Sequence, residues 1–531
     1  MLPIIPQPNG TTSMGNGTLT LPGEFAVDLG GFHERCLNAF RERTGLCLLP
    51  AGGQPLLRLR RDTAYAPEQH SLRVTGQGVE IAAGGERGVI WALTSLYLLM
   101  RDGTAPCCAI EGDGPRYAHR GLMLDCARHF FPVEEVRRIV EHISLAKMNV
   151  LHWHLSDDQG WRIESRAFPL LHQTENQPYY SQQQIRDVVR FAADRGVQVV
   201  PEIDMPGHTT AMLAAYPALS CRQTPVALGR AGGIFPVVLC PGKEEVFNFV
   251  SALLDEVAPL FDTPRFHMGG DEVPPGEWRA CDDCRRRMGE LGISEPAQLQ
   301  RYFMGRVQQH LRRLGKQPVC WNDTLSAGAV DADVTIQYWV EMTKRRPMIP
   351  YLKGGGRAVF SDMFHCYFDY PHGATPLRKA YAYLPSVDGL DASRLPGALG
   401  LEACLWTERI ETAQQLEQAI FPRVLATAEA AWSRARDYKN FERRLHAHLP
   451  RLRRDGVVCT EPSLWNPKGK QRRDQVVDYL NLMFSTSTLD DAEALSEMTN
   501  LRAMFKFVRE FFRPGDLLHA GRIKKALALK K

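Results

Sequence analysis

The chain has 531 residues, of which 44% are hydrophobic and 23% charged, and its formal net charge is +4. This composition is ordinary for a globular protein with a large core, and the length predicts two to four domains. The small net charge gives no case for a nucleic-acid partner, although residues 522–531 are locally basic. The longest apolar run, residues 89–100, is too short to span a bilayer.

The first 22 residues contain no Lys or Arg and are interrupted by prolines. They therefore lack the basic start and the apolar centre of a signal peptide. The 13 cysteines show no disulfide-scaffold pattern, and Cys126, Cys320 and Cys404 lie within apolar runs. Because reduced thiols in such runs pack as small hydrophobes, we expect a reducing compartment and a cytoplasmic protein.

Residues 1–115 predict a small α+β domain. Helical spacing over residues 32–43 and 86–101 alternates with strand-like patterns over residues 56–60 and 71–82. No group of residues in this region suggests chemistry. We therefore expect it to be a non-catalytic domain that packs against a larger neighbour.

From residue 116 to about residue 455, short apolar runs alternate with longer amphipathic segments. The predicted strands are residues 121–125, 150–155, 197–203, 265–269, 318–321, 334–339, 358–361 and 399–405. The predicted helices are residues 133–147, 182–195, 244–261, 297–314 and 413–432. Eight strands with interposed helices predict a (β/α)8 TIM barrel, although the last two strand-to-strand connections fit this pattern least well.

Residues 456–531 lose the alternation and predict a helical C-terminal extension. Helical patterns cover residues 474–484, 490–498 and 501–512. The residues of this extension indicate no chemistry.

Polar or aromatic residues follow every predicted barrel strand. The carboxyl ends of such strands meet at one mouth, which holds the active site of TIM-barrel enzymes. In strand order these residues are Asp125, Arg128 and His129; His152, His154, Asp157 and Asp158; Glu202, Asp204 and His208; His267, Asp271 and Glu272; Trp321, Asn322 and Asp323; Trp339 and Glu341; Asp362, Tyr367 and Asp369; and Glu402, Trp406 and Glu408. Tryptophans with carboxylates indicate a sugar site, since aromatic faces stack on a pyranose and carboxylates accept from its hydroxyls. A long loop over residues 216–241 is predicted to be a mobile rim of this mouth.

The stretch of residues 265–272 ends in two glycines followed by Asp271 and Glu272. Adjacent acids at a strand end point in different directions, so one can stay ionised while the other is kept protonated in a more apolar setting. The glycines allow backbone or ligand to approach closely. A strand followed by a solvated turn is the alternative interpretation of this stretch taken alone.

Two motifs carry the ligand types of a metal site. His152 and His154 share one face of a predicted strand, but no clear third ligand accompanies them. Cys281 and Cys284 form a CxxC pair, with no second pair at zinc-ribbon spacing. We interpret the histidines as packing or hydrogen-bonding groups and the cysteines as helix surface. No metal or cofactor is therefore expected, and activity should survive a chelator.

Residues 267–272, His-Met-Gly-Gly-Asp-Glu, resemble the HxGGDE signature of glycoside hydrolase family 20, the β-N-acetylhexosaminidases. Other stretches resemble motifs of the same family in the right order. They are residues 120–129, 152–158, 201–208, 367–369 and 402–408. The resemblance covers about residues 60–455, including the α/β domain that precedes the barrel in this family, and it does not cover the C-terminal extension.

The resemblance implies a retaining mechanism without an enzyme nucleophile, in which the 2-acetamido oxygen of the substrate attacks C1 and forms an oxazolinium intermediate. It implies that Glu272 is the general acid and then the general base. Asp271 would hold the acetamido nitrogen and offset its growing positive charge. Tyr367 would hydrogen-bond the acetamido oxygen.

The resemblance also implies a set of substrate-binding residues: Arg128, Asp157, His208, Trp321, Trp339, Asp369, Trp406 and Glu408. The three tryptophans would wall the pocket around the acetamido group and the sugar ring. Arg128 and Glu408 match contacts to the 3- and 4-hydroxyls, and Asp369 matches a contact near the 4- and 6-hydroxyls. Asp157 and His208 match a support network behind the general acid.

The expected function is that of an exo-acting β-N-acetylhexosaminidase that releases terminal GlcNAc or GalNAc from an oligosaccharide or glycoconjugate, with no nucleic-acid or membrane partner. A lacto-N-biosidase would need a pocket open to a disaccharide, which Arg128 and Glu408 argue against. A hexosaminidase specific for sulfated GlcNAc stays open. A catalytically inactive sugar-binding protein is disfavoured by the presence of Asp271, Glu272 and Tyr367. An enzyme for another β-linked sugar would not need an aromatic cage of acetamido size.

Overall fold

The computed structural model describes residues 2–50, 54–328, 330–341, 347–387 and 390–486. Its N-terminal part is a mixed sheet of seven strands in the spatial order β1-β7-β5-β6-β4-β2-β3. The strands are β1 Thr11–Thr20, β2 Glu24–Asp28, β3 Cys47–Pro50, β4 Leu57–Arg61, β5 His70–Thr75, β6 Gly78–Ala83 and β7 Thr104–Asp113. Helices α1 Asn38–Thr44 and α2 Glu86–Leu99 share one hydrophobic core with this sheet. The predicted α+β character of this region is confirmed.

Eight parallel strands close the barrel. They are β8 His119–Asp125, β9 Val150–His154, β10 Gln198–Glu202, β11 Arg265–His267, β12 Gln317–Trp321, β13 Thr335–Tyr338, β14 Arg357–Phe360 and β15 Ala398–Leu405. Closure comes from the pairing of β15 with β8, in which Leu401 lies opposite Arg120. Most strand residues are buried because both barrel faces are covered. All eight predicted strands and the TIM barrel are confirmed.

The longer helices of the barrel and of the C-terminal part are α3 Val133–Leu145, α4 Gln182–Asp194, α5 Glu244–Val257, α6 Gln298–Arg313, α7 Ala413–Ile420, α8 Arg423–Trp432, α9 Tyr438–Arg454 and α10 Gly469–Thr486. The ten-residue helix Asp282–Leu291 also belongs to the barrel region. Helices of four to six residues are Leu170–Gln173, Thr210–Ala215, Gly276–Ala280, Asp323–Ala327, Met348–Lys353, Met363–Cys366 and Leu377–Ala382. Within the described ranges, no helix combines the length and the apolar character needed to cross a membrane.

The prediction of one helix over residues 413–432 is wrong. The structure has α7 and α8, separated at Phe421 and Pro422. Proline lacks the backbone N–H that would continue the helical hydrogen bonds, so the first helix ends before it and the second begins after it. The poor fit of the last two connections also has a structural basis, because the described residues between β13 and β15 form short helices and a small hairpin, Ser386–Val387 with Leu390–Asp391.

A buried polar contact joins the N-terminal sheet to the barrel. Lys147 Nζ lies 2.9 Å from Asp113 Oδ2, and both side chains are fully buried. The Trp432 indole N–H donates to Asp113 Oδ1 at 2.9 Å, and its ring centroid lies 4.5 Å from Lys147 Nζ. Buried charges are costly unless they are paired, so this contact holds the two regions in one arrangement.

Helix α10 is the described part of the C-terminal extension, and it agrees with the helix predicted over residues 474–484. The other two predicted helices, residues 490–498 and 501–512, lie outside the described residues. Val476 of α10 is buried in a small cluster with Trp321, Trp339 and Tyr367. The extension therefore reaches the mouth of the barrel.

Candidate active site

The turn after β11 places two carboxylates at the barrel mouth. Gly269 and Gly270 have φ values of +63° and +96°, in the left-handed region that favours glycine. A Cβ on Gly269 would lie 1.6 Å from Asp204 Oδ1, and one on Gly270 would lie 2.6 Å from Thr324 Oγ1. The glycines were predicted to allow close approach of backbone or ligand, and in the structure the atoms nearest to these two Cβ positions belong to side chains. Glu272 itself has a φ of +49°, so the turn stores backbone strain where its side chain is presented.

His208 connects the carboxylate pair to a second acidic group behind it. Its Nδ1 lies 3.2 Å from Asp157 Oδ1 and 3.1 Å from Asp158 Oδ2. Its Nε2 lies 3.7 Å from Asp271 Oδ2 and 3.6 Å from Glu272 Oε2. Burial by itself would lower the pKa of His208, but the surrounding carboxylates hold that pKa well above its usual value. A positively charged imidazolium therefore faces the two mouth carboxylates.

Asp271 lies in a more enclosed setting than its neighbour. Burial raises the pKa of Asp271 to about 6, with His208 opposing the shift and Glu272 adding to it. Burial and the charge of Asp271 together hold the pKa of Asp204 well above its usual value. Asp204 is therefore the protonated member of this pair, and it accepts a hydrogen bond from the Gly270 N–H at 3.0 Å. The Glu272 side chain keeps 23% of its surface exposed at the mouth.

Arg128 closes one side of the mouth. Its guanidinium lies 2.8 Å from Asp157 Oδ2 and stacks at 4.7 Å over the Trp406 ring. Burial alone would lower the pKa of Arg128, but the nearby carboxylates of Asp157, Asp125 and Glu408 outweigh it and hold that pKa above its usual value. The same ion pair, with His208, holds the pKa of Asp157 well below its usual range against the effect of burial. Arg128 and Asp157 are therefore both charged and fixed in position.

Four aromatic rings, including the Trp406 ring beneath Arg128, form a wall of the mouth. The Trp321 and Trp406 centroids are 5.8 Å apart, and Tyr367 lies 6.1 Å from Trp406. Trp339 stacks on Tyr367 at 6.3 Å with an interplanar angle of 17°. The Trp339 indole N–H donates to Asp323 at 2.7 Å, and the Trp321 indole N–H donates to Glu202 at 2.8 Å. These anchored rings form the kind of apolar face on which a sugar ring or an acetamido methyl group packs.

Asp369 lies at the end of the site that α10 covers. The Tyr479 hydroxyl donates to Asp369 Oδ2 at 3.3 Å, and the Tyr479 ring packs edge-on against Tyr370 at 5.2 Å. Burial, with Glu408 nearby, raises the pKa of Asp369 to about 7. The other oxygen of Asp369 has no protein hydrogen-bond partner among the described residues. This oxygen is left to accept from a ligand.

Deeper in the barrel, a second pair of acidic residues, Glu202 and Glu402, forms ion pairs with histidines. Glu402 Oε1 lies 2.8 Å from His152 Nδ1, and Glu402 Oε2 lies 2.7 Å from His119 Nε2. Glu202 lies 3.1 Å from His152 Nε2 and also contacts His154. Burial would lower the pKa of His152, but Glu402 and Glu202 raise it to about 9. The interpretation of His152 and His154 as hydrogen-bonding groups agrees with these contacts.

The structure brings all eleven predicted site residues to one mouth, while the role of each stays a prediction. The residues are Arg128, Asp157, His208, Asp271, Glu272, Trp321, Trp339, Tyr367, Asp369, Trp406 and Glu408. Tyr479 was missed by sequence reasoning, because nothing in the extension marks a residue 110 positions away from Asp369 in the chain as a neighbour. Glu202 and Glu402, also noted at strand ends, belong to the interior network instead.

A closed (β/α)8 barrel whose carboxyl-end mouth joins a carboxylate pair to a tryptophan wall has the architecture of a glycoside hydrolase. Comparison with known families agrees. The model "Glycosyl hydrolase family 20, catalytic domain" matches residues 117–435, and "Glycosyl hydrolase family 20, domain 2" matches residues 1–112. The chain belongs to glycosyl hydrolase family 20, a family of β-N-acetylhexosaminidases, as its motifs predicted.

Two curated relatives extend the comparison. A beta-hexosaminidase of Porphyromonas gingivalis is 32% identical over 87% of this chain, and the match spans 64% of that longer protein. A beta-hexosaminidase of Akkermansia muciniphila is 30% identical over 80% of this chain and 91% of its own length. The solved exo beta-N-acetylglucosaminidase of Vibrio harveyi, in complex with N-acetylglucosamine, has a TM-score of 0.77 and 29% identity, covering 87% of this chain and 78% of that one.

Proposed function

We propose that this protein is an exo-acting, retaining β-N-acetylhexosaminidase. It releases terminal GlcNAc, GalNAc or both from the non-reducing end of an oligosaccharide or glycoconjugate. The named relatives support the substrate class, since two are beta-hexosaminidases and one solved neighbour holds N-acetylglucosamine. The observation that carries the proposal is that the Asp271–Glu272 pair and the aromatic wall meet at one barrel mouth. The charge of Asp271 acts on Tyr367 and on Asp323, the carboxylate that accepts from the Trp339 indole N–H.

Glu272 is the proton donor of the first step. Its partly exposed carboxyl gives a leaving group access, and it protonates the glycosidic oxygen as the C1–O bond breaks. The acetamido oxygen of the substrate forms the new bond to C1 from the opposite face. In the second step the Glu272 carboxylate takes a proton from water. The water oxygen attacks C1, and the bond between C1 and the acetamido oxygen breaks, which opens the oxazolinium ring. Two inversions at C1 give net retention.

Asp271 and Tyr367 hold the internal nucleophile. The acetamido N–H donates to the Asp271 carboxylate, which offsets the positive charge that grows on nitrogen as the oxazolinium forms. The Tyr367 hydroxyl donates to the acetamido oxygen and aims it at C1. The charged His208, 3.7 Å from Asp271, favours the ionised form of that carboxylate at neutral pH. Asp157 keeps His208 charged in turn.

Arg128, Asp369 and Glu408 support exo action. Arg128 is fixed by Asp157 and Trp406, and one oxygen of Asp369 lacks a protein hydrogen-bond partner among the residues the structure describes. Such groups recognise the hydroxyls of one terminal sugar by charge-assisted hydrogen bonds. A second sugar beyond them would leave these polar groups without partners, which disfavours a disaccharide-releasing enzyme.

The decisive experiment compares an aryl N-acetyl-β-glucosaminide with the matching β-glucoside. A well-placed internal nucleophile is worth roughly 7–11 kcal/mol, so the glucoside, which lacks it, should turn over orders of magnitude more slowly. A thiazoline mimic of the cyclised intermediate should inhibit competitively. Comparable rates on both sugars without thiazoline inhibition would contradict the mechanism, and binding of N-acetylglucosamine without turnover of any substrate would indicate an inactive sugar-binding protein. Parallel assays on GalNAc and 6-sulfo-GlcNAc glycosides define the specificity.

A further inference from the structure

Four cysteines from three separate chain segments converge beside the rim of the site. Cys221 and Cys240 lie near the two ends of the loop over residues 216–241, which we call the rim loop. Cys281 and Cys284 lie at the start of helix Asp282–Leu291. The Sγ atoms of Cys221 and Cys284 are 3.8 Å apart, those of Cys240 and Cys281 are 3.8 Å apart, and those of Cys240 and Cys284 are 3.5 Å apart. All four sulfurs lie within 4.8 Å of one another.

We propose that these four cysteines bind one structural zinc ion. A tetrahedral site with Zn–S bonds of about 2.3 Å places its sulfurs about 3.8 Å apart, which the observed distances match. A disulfide would instead bring two sulfurs to about 2.05 Å, and the described cysteines are all free thiols. A multinuclear iron–sulfur cluster inserts several irons and sulfides between its thiolates, so it needs wider spacing than 4.8 Å.

The cysteines stand on a rigid frame. The two ends of the rim loop are paired by a bridge between Ser220 and Leu239, and the Cys240 N–H donates to Leu219 O at 3.0 Å. A Cβ on Gly242 would lie 2.4 Å from the Cys284 nitrogen, so only glycine lets the two ligand segments approach this closely. A frame that holds four sulfurs at this spacing meets the main requirement of a closed structural zinc site.

The four cysteines lie at the boundary between the protein interior and solvent. Cys240 and Cys284 are buried, whereas Cys221 and Cys281 are partly exposed. Zinc binding would displace the thiol protons to solvent.

The interpretation of Cys281 and Cys284 as plain helix surface is wrong, because Cys284 is fully buried within the cluster. The missing second pair is Cys221 with Cys240, which are 19 positions apart in the sequence and become neighbours only through the folded rim loop. The spacing of these two cysteines in the sequence therefore does not indicate a zinc site.

The zinc ion would clamp the base of the loop that borders the active site. Between the two loop cysteines, the Gly229 N–H donates to Asp158 O at 2.9 Å, and a Cβ on Gly232 would lie 3.3 Å from the Glu408 side chain. The other two ligands follow Glu272 by nine and twelve positions in the chain. The ion thus joins the rim loop to the segment after the proposed acid, and neither Asp271 nor Glu272 is a ligand.

Metal analysis of the full-length protein tests the proposal. Protein produced with zinc and without chelators should retain roughly one zinc per chain after dialysis, and its X-ray absorption spectrum should show four sulfurs at about 2.3 Å. Cys221→Ser should lower the zinc content at least several-fold. Cys459→Ser, at a cysteine of similar partial exposure outside the cluster, should leave it unchanged.

Trypsin provides a readout of the clamp that is independent of activity. Arg230 of the rim loop has a 79% exposed side chain, and its cleavage should become several-fold faster after zinc is stripped and should slow again when zinc is restored. Folded wild-type protein with four free thiols and no zinc, with disulfides among these cysteines, or with iron in their place would overturn the assignment. A Cys221→Ser variant that fails to fold leaves the wild-type spectroscopy as the deciding measurement.

Discussion

Two pairs of acidic residues lie at different depths of the same barrel. Glu202 and Glu402 are fully buried, and His119, His152, His154 and other donors satisfy their oxygens. At the mouth, Asp271 and Glu272 lie 3.7 Å and 3.6 Å from His208 Nε2, which is longer than a normal hydrogen bond. The same residue type therefore stabilises the barrel where its partners are complete, and stays available to a ligand where they are not.

The two pairs also differ in the pKa of their carboxyl groups. The interior histidines hold the pKa of Glu402 far below its usual value although burial opposes this. At the mouth, burial instead raises the pKa of Asp271 to about 6, although the charge of His208 opposes the shift. A carboxyl that titrates near neutral pH can exchange protons or respond to a ligand, whereas one locked in ion pairs cannot.

Glu272→Gln should give the largest loss of activity. General acid catalysis contributes roughly 10²–10⁴-fold, so kcat/KM on an N-acetylglucosamine disaccharide should fall by that factor, while activated aryl glycosides suffer less in the first step. Thermal stability should stay near that of the wild type because this side chain is partly exposed. Wild-type turnover of the disaccharide would show that Glu272 is not the acid.

Glu402→Gln should act on stability instead. Removing one partner of a buried ion pair costs about 3–5 kcal/mol in the free energy of unfolding. Here the substitution leaves the buried, charged His152 with Glu202 as its remaining carboxylate partner. Urea denaturation measures this loss, and kcat per folded molecule should be largely retained. Normal stability with lost kcat would place Glu402 in the reaction rather than in the barrel frame.

Asp271→Asn should cost roughly 3–4 kcal/mol in transition-state stabilisation on acetamido substrates, since it removes the charge that faces the oxazolinium nitrogen. The measurement is kcat/KM on an aryl N-acetyl-β-glucosaminide. Asp282→Asn is the control, because Asp282 has a 93% exposed side chain shortly after Asp271 in the chain. Equal effects of the two substitutions would contradict the proposed role.

The acid limb of the pH profile should report Asp271. Its pKa is raised to about 6, so the carboxylate becomes protonated as pH falls through 6, and kcat/KM should then fall about tenfold per pH unit. His208 opposes this protonation, so His208→Gln should move the limb to higher pH. A limb that stays in place in His208→Gln would assign it to another group.

Tyr479→Phe should have the smallest effect. Loss of its hydrogen bond to Asp369, worth about 0.5–1.5 kcal/mol, should raise KM a few-fold with little change in kcat. If Tyr479 acts by positioning Asp369 for a sugar hydroxyl, the difference from the wild type should vanish on 4- or 6-deoxy substrates, whichever hydroxyl Asp369 contacts. An equal loss on the natural and on both deoxy substrates would indicate a purely structural role for α10.

The sequence by itself determined the barrel, because strand and helix periodicities are local and the Gly269-Gly270 turn can be made by few other residues. It also predicted the residues of the mouth, since strand ends in a closed barrel meet at one place whatever the strands between them contain. The helical periodicity did not predict the break at Pro422, because the apolar spacing continues across that residue.

Only the tertiary structure decided which polar residues are saturated and which are free. Position at a strand end does not by itself separate Glu202 and Glu402 from Asp271 and Glu272. Their partners come from segments that are distant in sequence. The contact of Tyr479 with Asp369 and the four-cysteine cluster have the same origin. Burial and electrostatic environment depend on everything packed around a group, so no local pattern encodes them.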